Sequence, residues 1–300
     1  MKGPLFYSKI LLFGEYGIIK DSKGLSIPYN FYNGALKVDE NPTEEAQKSN
    51  ASLSRFADYL TQLQQEQPEL VTFNIEALKV DVARGMYFDS SIPQGYGVGS
   101  SGALVAAIYD KYANDKITVL ENLTREKLLQ LKTIFGQMES FFHGKSSGLD
   151  PLNSYLSIPI LINSKDNIEA TGIPSQSATG KGAVFLLDSG IVGETAPMVN
   201  IFMENLKEEG FRKMLKSQFI KYTDACVENF LGGDMKSLFA NTKQLSKVVL
   251  NNFKPMIPEA FHGVWQQGID TNDYYLKLCG SGGGGYILGF TEDLEKAKKS

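Results

Sequence analysis

The stretch Pro93-Gln94-Gly95-Tyr96-Gly97-Val98-Gly99-Ser100-Ser101-Gly102-Ala103 carries the reading of this chain. Its glycines let several successive N–H groups turn toward one anion. The apolar series Ala103, Leu104, Ala107 and Ile108 predicts a helix from Ser100 or Ser101, whose N-terminal dipole adds to that field. Either serine can cap the helix, and a hydroxyl here could also ligate magnesium on a triphosphate. In chemical terms the stretch is a phosphate cradle, with a plain glycine-rich turn as the alternative. Other readings fail on the letters. Gly97-x-Gly99-x-x-Gly102 matches a dinucleotide fingerprint, but Asp89-Ser90-Ser91-Ile92-Pro93-Gln94 is not the buried strand which that fingerprint follows. Gly144-Lys145-Ser146 ends like a Walker A loop, whose first glycine would fall on Glu139. Neither serine lies in an intact G-x-S-x-G elbow, because position 103 is alanine, and the H-R-D and D-F-G signatures are absent.

A second cluster, Gly280-Ser281-Gly282-Gly283-Gly284-Gly285, follows the apolar run Tyr274 to Leu278. Five glycines in six positions are costly to order. Close backbone approach to a ligand is the economical explanation, and an exposed hinge the alternative. The two clusters hold nine of the 29 glycines; the remaining 20 are an ordinary share of 300 residues. Between them a helix from about Arg125 puts Leu128, Leu131, Phe135, Met138 and Phe142 on one stripe. Glu139 falls at the edge of that stripe, where a carboxylate is costly unless it is paired or holds a cation. Just beyond, His143-Gly144-Lys145-Ser146-Ser147-Gly148-Leu149-Asp150 contains a turn that would present Asp150 on a fixed loop. From there Asp150 could orient an attacking hydroxyl and take its proton. Lys9, on the first strand, offers a cation to such a site.

Composition removes whole chemistries. Cys226 and Cys279 are far apart and His143 and His262 are the only histidines, which leaves no zinc ribbon, disulfide framework or histidine metal cluster. A formal charge of −4 and only four arginines argue against a nucleic-acid surface. No apolar run approaches the roughly 18–20 residues that cross a bilayer, and Ile10 to Phe13 is too short for a signal peptide. The chain therefore reads as cytoplasmic, with neither nucleic acid nor membrane as a partner.

Apolar alternation predicts strands over Leu5–Phe13, Ser26–Val38 and Leu70–Val82, with a helix in Pro42–Gln65. From Gly182 a strand at Ala183–Leu187 leads into helices over Thr195–Leu206, Phe211–Phe230, Met235–Leu250 and Pro258–Gln267. Strands at Tyr274–Leu278 and Tyr286–Phe290 and a helix from Glu292 follow. This mixture is α+β, with a domain boundary near residue 180.

Together these elements resemble the GHMP kinase superfamily. Its first motif corresponds to Ser8-Lys9-Ile10-Leu11-Leu12-Phe13-Gly14-Glu15-Tyr16, its second to Gly95–Ala103 and its third to Lys277-Leu278-Cys279-Gly280-Ser281-Gly282-Gly283-Gly284-Gly285. The resemblance implies a two-domain α+β fold. Residues 1–180 would be an ATP-binding N-terminal domain of the ribosomal protein S5 domain 2-like type, and residues 181–300 a ferredoxin-like C-terminal domain. It further implies a monomer or homodimer acting on a small-molecule substrate, with ATP and Mg2+ as cofactors and phosphates on Gly95, Gly97, Val98, Gly99, Ser100, Ser101, Gly102 and Ala103. Ser101 and Glu139 would hold magnesium, Asp150 would be the base or orienting carboxylate, and Lys9 would support it. Glu15, Tyr16, His143, Ser147, Gly148, Thr195, Gly282 and Gly283 would face the acceptor.

Within the superfamily, Glu139-x-x-x-His143-Gly144-x-x-Ser147-Gly148-x-Asp150 and the tetraglycine look most like mevalonate kinase. Ser146 stands where that pattern usually has proline, and Gly14-Glu15-Tyr16 is more like phosphomevalonate kinase. None of the four arginines lies beside the motifs, so an acceptor already carrying phosphate lacks the clamp it would favour. The implied activity is phosphorylation of mevalonate to 5-phosphomevalonate, a step of isoprenoid biosynthesis. Phosphomevalonate kinase, or another sugar or amino-acid kinase of the superfamily, is the alternative. A silent ligand sensor of the same fold is the non-enzymatic one, and Lys9, Glu139 and Asp150 standing in register speak against it.

Overall fold

Strand β1 (Phe6–Phe13) buries Phe6, Ile10, Leu12 and Phe13 and with them the polar Ser8 and Lys9. Ser8 meets the cost of burial by donating to the Tyr29 carbonyl at 2.7 Å. In the computed structural model, which describes residues 4–39, 41–118, 123–174 and 180–300, the chain divides into two compact units. The first comprises the residues up to Lys9, Pro28–Pro93 and Gly99–Ile158. The second comprises Ile10–Ile27, Gln94–Val98 and Pro159–Ser300. β1 and the long β2 (Gly24–Val38) each run through both.

In the first unit Thr43 caps α1 (Glu44–Glu66) by accepting the Ala46 N–H at 3.2 Å, and the helix buries Leu53, Phe56, Leu60 and Leu63. After α2 (Ile75–Ala83), β3 (Met86–Ser90) pairs antiparallel with β2, from Val38 opposite Met86 to Gly34 opposite Ser90. The helix foreseen from Ser100 is α3 (Ser100–Tyr112), and the one foreseen from Arg125 is α4 (Arg125–His143), capped by Thr124. The short α5 (Leu149–Leu156) follows. Tyr109 of α3, Phe135 of α4 and Tyr155 of α5 stack edge-on with ring centroids 5.0–5.5 Å apart, so three helices share one aromatic knot.

The expected strand over Leu70–Val82 is instead mostly α2. Asn74 accepts the Ala77 N–H at 3.1 Å and starts a helix, which buries Leu78 and Val82, four apart, and leaves Val80 53% exposed. What remains of the strand is one bridge, Phe73 to Ala113. Asp150, expected on a loop, lies in the first turn of α5, because Gly148 with φ +76° takes the N-cap position. The serines at 100 and 101 do not cap α3; Gly99 holds the N-cap and both serines are helical.

In the second unit the hairpin β4 (Ile160–Ser164) and β5 (Asn167–Ala170) extends the first sheet, whose order is β1-β2-β4-β5 with β3 also on β2. β6 (Ala183–Asp188), α6 (Thr195–Asn205) and α7 (Glu209–Met214) come next. A π-helical turn at Leu215–Ile220 joins α7 to α8 (Lys221–Gly232), so the single helix expected over Phe211–Phe230 is three helical segments in line. After α9 (Met235–Asn252) and α10 (His262–Thr271), strands β7 (Tyr275–Leu278) and β8 (Tyr286–Thr291) form with β6 a three-stranded antiparallel sheet in the order β6-β8-β7. The last helix is α11 (Leu294–Ala297). Phe253 gathers Tyr16, Phe202, Phe211 and Phe219 around its ring, and Trp265 is fully buried with its indole N–H on the Ser246 carbonyl. The architecture is α+β with two sheets. Among the described residues no helix is long and apolar enough to cross a membrane.

Both cysteines are buried. Burial pushes the Cys226 thiol up to about 12, so the reactive thiolate is scarce at any pH below that. Iodoacetamide at pH 8 is expected to leave the native chain unmodified and to label both cysteines once urea unfolds it, as read by intact mass. Labelling of the native chain would contradict this burial.

Candidate functional site

The first unit gathers a charged cluster around one helix N-terminus. Lys9, on β1, points its ammonium at Asp150 of α5, with Nζ 2.8 Å from Oδ1; the lysine side chain is 6% exposed and the aspartate 39%. Gly99 lies over this pair, since a Cβ there would sit 3.1 Å from the Lys9 side chain and 3.8 Å from that of Asp150. Three residues on, Gly102 lets α3 touch α5: a Cβ would meet the Asp150 carbonyl carbon and the Pro151 nitrogen at 2.8 Å. The N-terminal turns of α3 and α5 are therefore in close backbone approach at Gly102 and Asp150.

Glu139 of α4 is 4% exposed. Its Oε1 accepts from Ser101 Oγ at 2.8 Å and its Oε2 accepts from Ser146 Oγ. Ser101 has a single hydrogen to give, so donating it to Glu139 makes His143 Nε2–H, at 2.9 Å, the donor to Ser101. Burial first and the nearby Asp150 charge second push the Glu139 carboxyl up to about 7, against the pull of the two serines and Lys9. The unit thus brings together Lys9, Gly99, Ser101, Gly102, Glu139, His143 and Asp150. Ser100 and Ala103 belong to the same helical turn, Gly148 caps α5, and the Ser147 hydroxyl accepts the Leu149 N–H at 3.3 Å.

Hard oxygen donors at Ser101 and Glu139, one neutral and one acidic, suit magnesium. Among the described residues no group of three or more His, Cys, Asp or Glu is arranged to hold a metal. The donor set fits an ion that takes few protein ligands and keeps phosphate and water oxygens, which is the habit of magnesium.

The second unit holds the rest. The sequence assigns both glycine clusters to ligand approach, but here much of that approach is to the protein's own backbone. A Cβ on Gly97, whose φ is +79°, would stand 2.3 Å from the Cys279 carbonyl oxygen, and one on Gly285 would stand 2.5 Å from Tyr96 Cα. The Tyr286 N–H donates to the Tyr96 carbonyl, and the two tyrosine rings meet edge-on at 4.9 Å. A third segment, after β6, ties in: Gly193 N–H donates to Gly95 O at 2.9 Å and Gly285 N–H to Ile191 O at 2.6 Å. Gly193, which sequence reasoning missed, sits with its Cα 's open face toward Gly282, Gly284 and Gly95; a lone glycine between Val192 and Glu194 gives no signal of this.

Of the expected acceptor residues in this unit, Glu15 is buried and paired at 2.8 Å with Lys277, itself 1% exposed and also bonded to the Leu278 carbonyl. Burial raises the Glu15 carboxyl and Lys277 lowers it. In the sequence Lys277 stands only within the third motif, and its one signal is a lone lysine inside the otherwise apolar run Tyr274–Leu278. Tyr16 packs on Phe202 and donates to the Ser281 carbonyl at 2.5 Å. Thr195 opens α6 with its hydroxyl 3.3 Å from Ser281 Oγ. Gly282 lies against the Met256 carbonyl and Gly283 against the Met198 side chain. Val98 is fully buried.

Residues 59–157 match the family model described as the GHMP kinases N terminal domain. A comparison with curated proteins finds no match. Among solved structures, L. major mevalonate kinase in complex with R-mevalonate aligns with a TM-score of 0.60 at 18% identity, covering 99% of this chain and 90% of that one. Streptococcus pneumoniae phosphomevalonate kinase in complex with phosphomevalonate and AMPPNP aligns at 0.63 and 14% identity, over 98% and 93% of the two chains. Lactococcus lactis galactokinase complexed with galactose aligns at 0.64 and 11% identity, over 98% and 87%. The fold is that of the GHMP kinases over essentially the whole chain.

The locked glycine loops are testable by stability alone. Gly97→Ala is expected to cost well over about 1 kcal/mol in urea denaturation, from both its backbone conformation and the clash with Cys279. Gly172→Ala, where a Cβ meets nothing within 4 Å, is expected to stay within about 0.5 kcal/mol. Equal stability of the two variants would refute the packing of residues 94–98 on the glycine run.

Proposed function

We propose that this chain, whose residues 59–157 match the GHMP kinases N terminal domain and whose fold is that of the GHMP kinases, is a member of that superfamily and an ATP-dependent small-molecule kinase. The observation that carries the reading is the Lys9–Asp150 ion pair set beside Ser101 and Glu139 at the N-terminus of α3. N–H groups in the first turn of a helix favour phosphate oxygens, and the dipole adds to them. Ser101 and Glu139 would hold magnesium, which when bound supplies the positive charge that a triphosphate needs. Asp150, oriented by Lys9, accepts the proton of an acceptor hydroxyl as its oxygen attacks the γ-phosphorus and ADP leaves. Catalysis of this kind is positioning and charge neutralisation, and these side chains come from β1, α3, α4 and α5, not from free loops.

Mevalonate is the acceptor that the motif Glu139-x-x-x-His143-Gly144-x-x-Ser147-Gly148-x-Asp150 supports best. Two of the four arginines are engaged elsewhere, Arg84 beside Asp81 and Arg212 on the carbonyls of Leu206 and Lys207, which accords with an acceptor lacking phosphate. Phosphomevalonate is the second reading, supported by Gly14-Glu15-Tyr16.

A coupled ADP-release assay across mevalonate, phosphomevalonate, homoserine and galactose tests the choice. Turnover is expected with mevalonate; turnover confined to phosphomevalonate would reverse the order, and none with any acceptor would favour a silent sensor. Asp150→Asn is expected to retain ATP binding and lose at least about 100-fold in kcat. Unchanged turnover would remove Asp150 from the mechanism.

A further inference from the structure

Glu139 has two carboxylate oxygens, and the one facing away from Ser101 is engaged by a residue with no assigned role. Ser146 donates its hydroxyl hydrogen to Oε2. Its oxygen at the same time accepts the N–H of Gly148 at 3.0 Å, the N-cap residue of α5, two positions before Asp150. One hydroxyl therefore bridges the Glu139 carboxylate on α4 and the N-cap of α5, the helix that carries Asp150 in its first turn. The bridge is held in place by close packing: a Cβ on Gly136 would meet the Ser146 carbonyl oxygen at 3.1 Å, and one on Gly148 would meet the Lys132 carbonyl oxygen at 2.0 Å. The loop thus lies directly on α4 with little room to shift.

We propose that Ser146 is a positioning residue that fixes the Glu139 carboxylate relative to Ser101 and Asp150 for binding a divalent cation. The inference rests on the reading of Glu139 as a magnesium-holding carboxylate. A buried carboxylate with one oxygen anchored cannot rotate freely about its terminal bond, so its other oxygen stays beside Ser101. Without the Ser146 hydrogen bond, Glu139 keeps a hydroxyl on only one of its two oxygens, and the Gly148 N–H loses its acceptor. Groups that orient a metal ligand in this way typically contribute about 10–100-fold in metal affinity.

The test uses the full chain with a non-hydrolysable ATP analogue and Mn2+ as a spectroscopic probe of the cation site, bound and free ion being separated by electron paramagnetic resonance. Ser146→Ala is expected to weaken Mn2+ binding about tenfold or more while affinity for the metal-free analogue stays within about twofold. Ser146→Thr, which keeps the hydroxyl, is expected to bind the ion far better than the near-isosteric Ser146→Val, a comparison that holds even if alanine disturbs the loop. Wild-type Mn2+ affinity in Ser146→Ala, or equal affinities in the threonine and valine variants, would overturn the proposal. Glu139→Gln separates the two layers: if it binds Mn2+ as wild type does, the reading of Glu139 itself fails. If it loses the ion while Ser146→Ala and Ser146→Val keep it, only the role of Ser146 fails.

Discussion

A carboxylate at 4% exposure with another carboxylate as its neighbour is the constraint around which the first unit is arranged. Burying such a group without partners costs several kcal/mol, and a nearby like charge adds to it. The structure answers with two hydroxyls, one on each oxygen of Glu139, and with Lys9 on the neighbouring Asp150. Each answer fixes an element. Ser101 fixes the start of α3, Ser146 the loop into α5, and Lys9 the middle of β1. An apolar residue at position 139 would complete the stripe of α4 at no electrostatic cost. Two hydroxyls on Glu139 and an ammonium on Asp150 are instead what the proposed site would ask of the fold.

Glycine plays a different part from the one its numbers suggest. Chain reversal and phosphate contact account for few of the observed clashes that a Cβ would make. At Gly97, Gly193, Gly282 and Gly285 the nearest atom is backbone of the same unit. Two stretches about 185 residues apart in sequence approach until main chain meets main chain, and the segment after β6 joins them through Ile191 and Gly193. An ordered loop of this kind has already lost its conformational entropy in folding, so a ligand meeting it does not have to supply that ordering.

The parts of this arrangement that sequence revealed are those with a local signature. The α4 stripe made Glu139 conspicuous because a charge broke a hydrophobic period, and helix α3 followed from its apolar spacing. The strand assigned over Leu70–Val82 failed because Phe73, Ile75, Val80 and Val82 imitate a period of two, while one Asn74 cap suffices to choose the period of four that Leu78 and Val82 share. α5 escaped notice because its eight residues are too few to show a period and its N-cap is a glycine with no side-chain signal. The bridging role of Ser146 and the position of Gly193 depend on contacts between segments, which no spacing rule encodes. The partnership of Glu15 with Lys277, 262 positions away, was hidden for the same reason.

Charge balance links the cluster to its proposed chemistry. Lys9 and Asp150 cancel in a pair at 2.8 Å, and Glu139 is either neutral or negative depending on pH. The contact set of Lys9, Glu139 and Asp150 therefore offers no net positive charge to a triphosphate. On the proposed reading, attraction would come from backbone N–H groups at the start of α3 and from a cation that arrives with the nucleotide. The raised Glu139 carboxyl fits this: its proton and a divalent ion compete for the same oxygens, so a cation that neutralises Asp150's field also favours the ionised form of Glu139. In such a site ion and nucleotide would each bind more tightly in the presence of the other, by linkage.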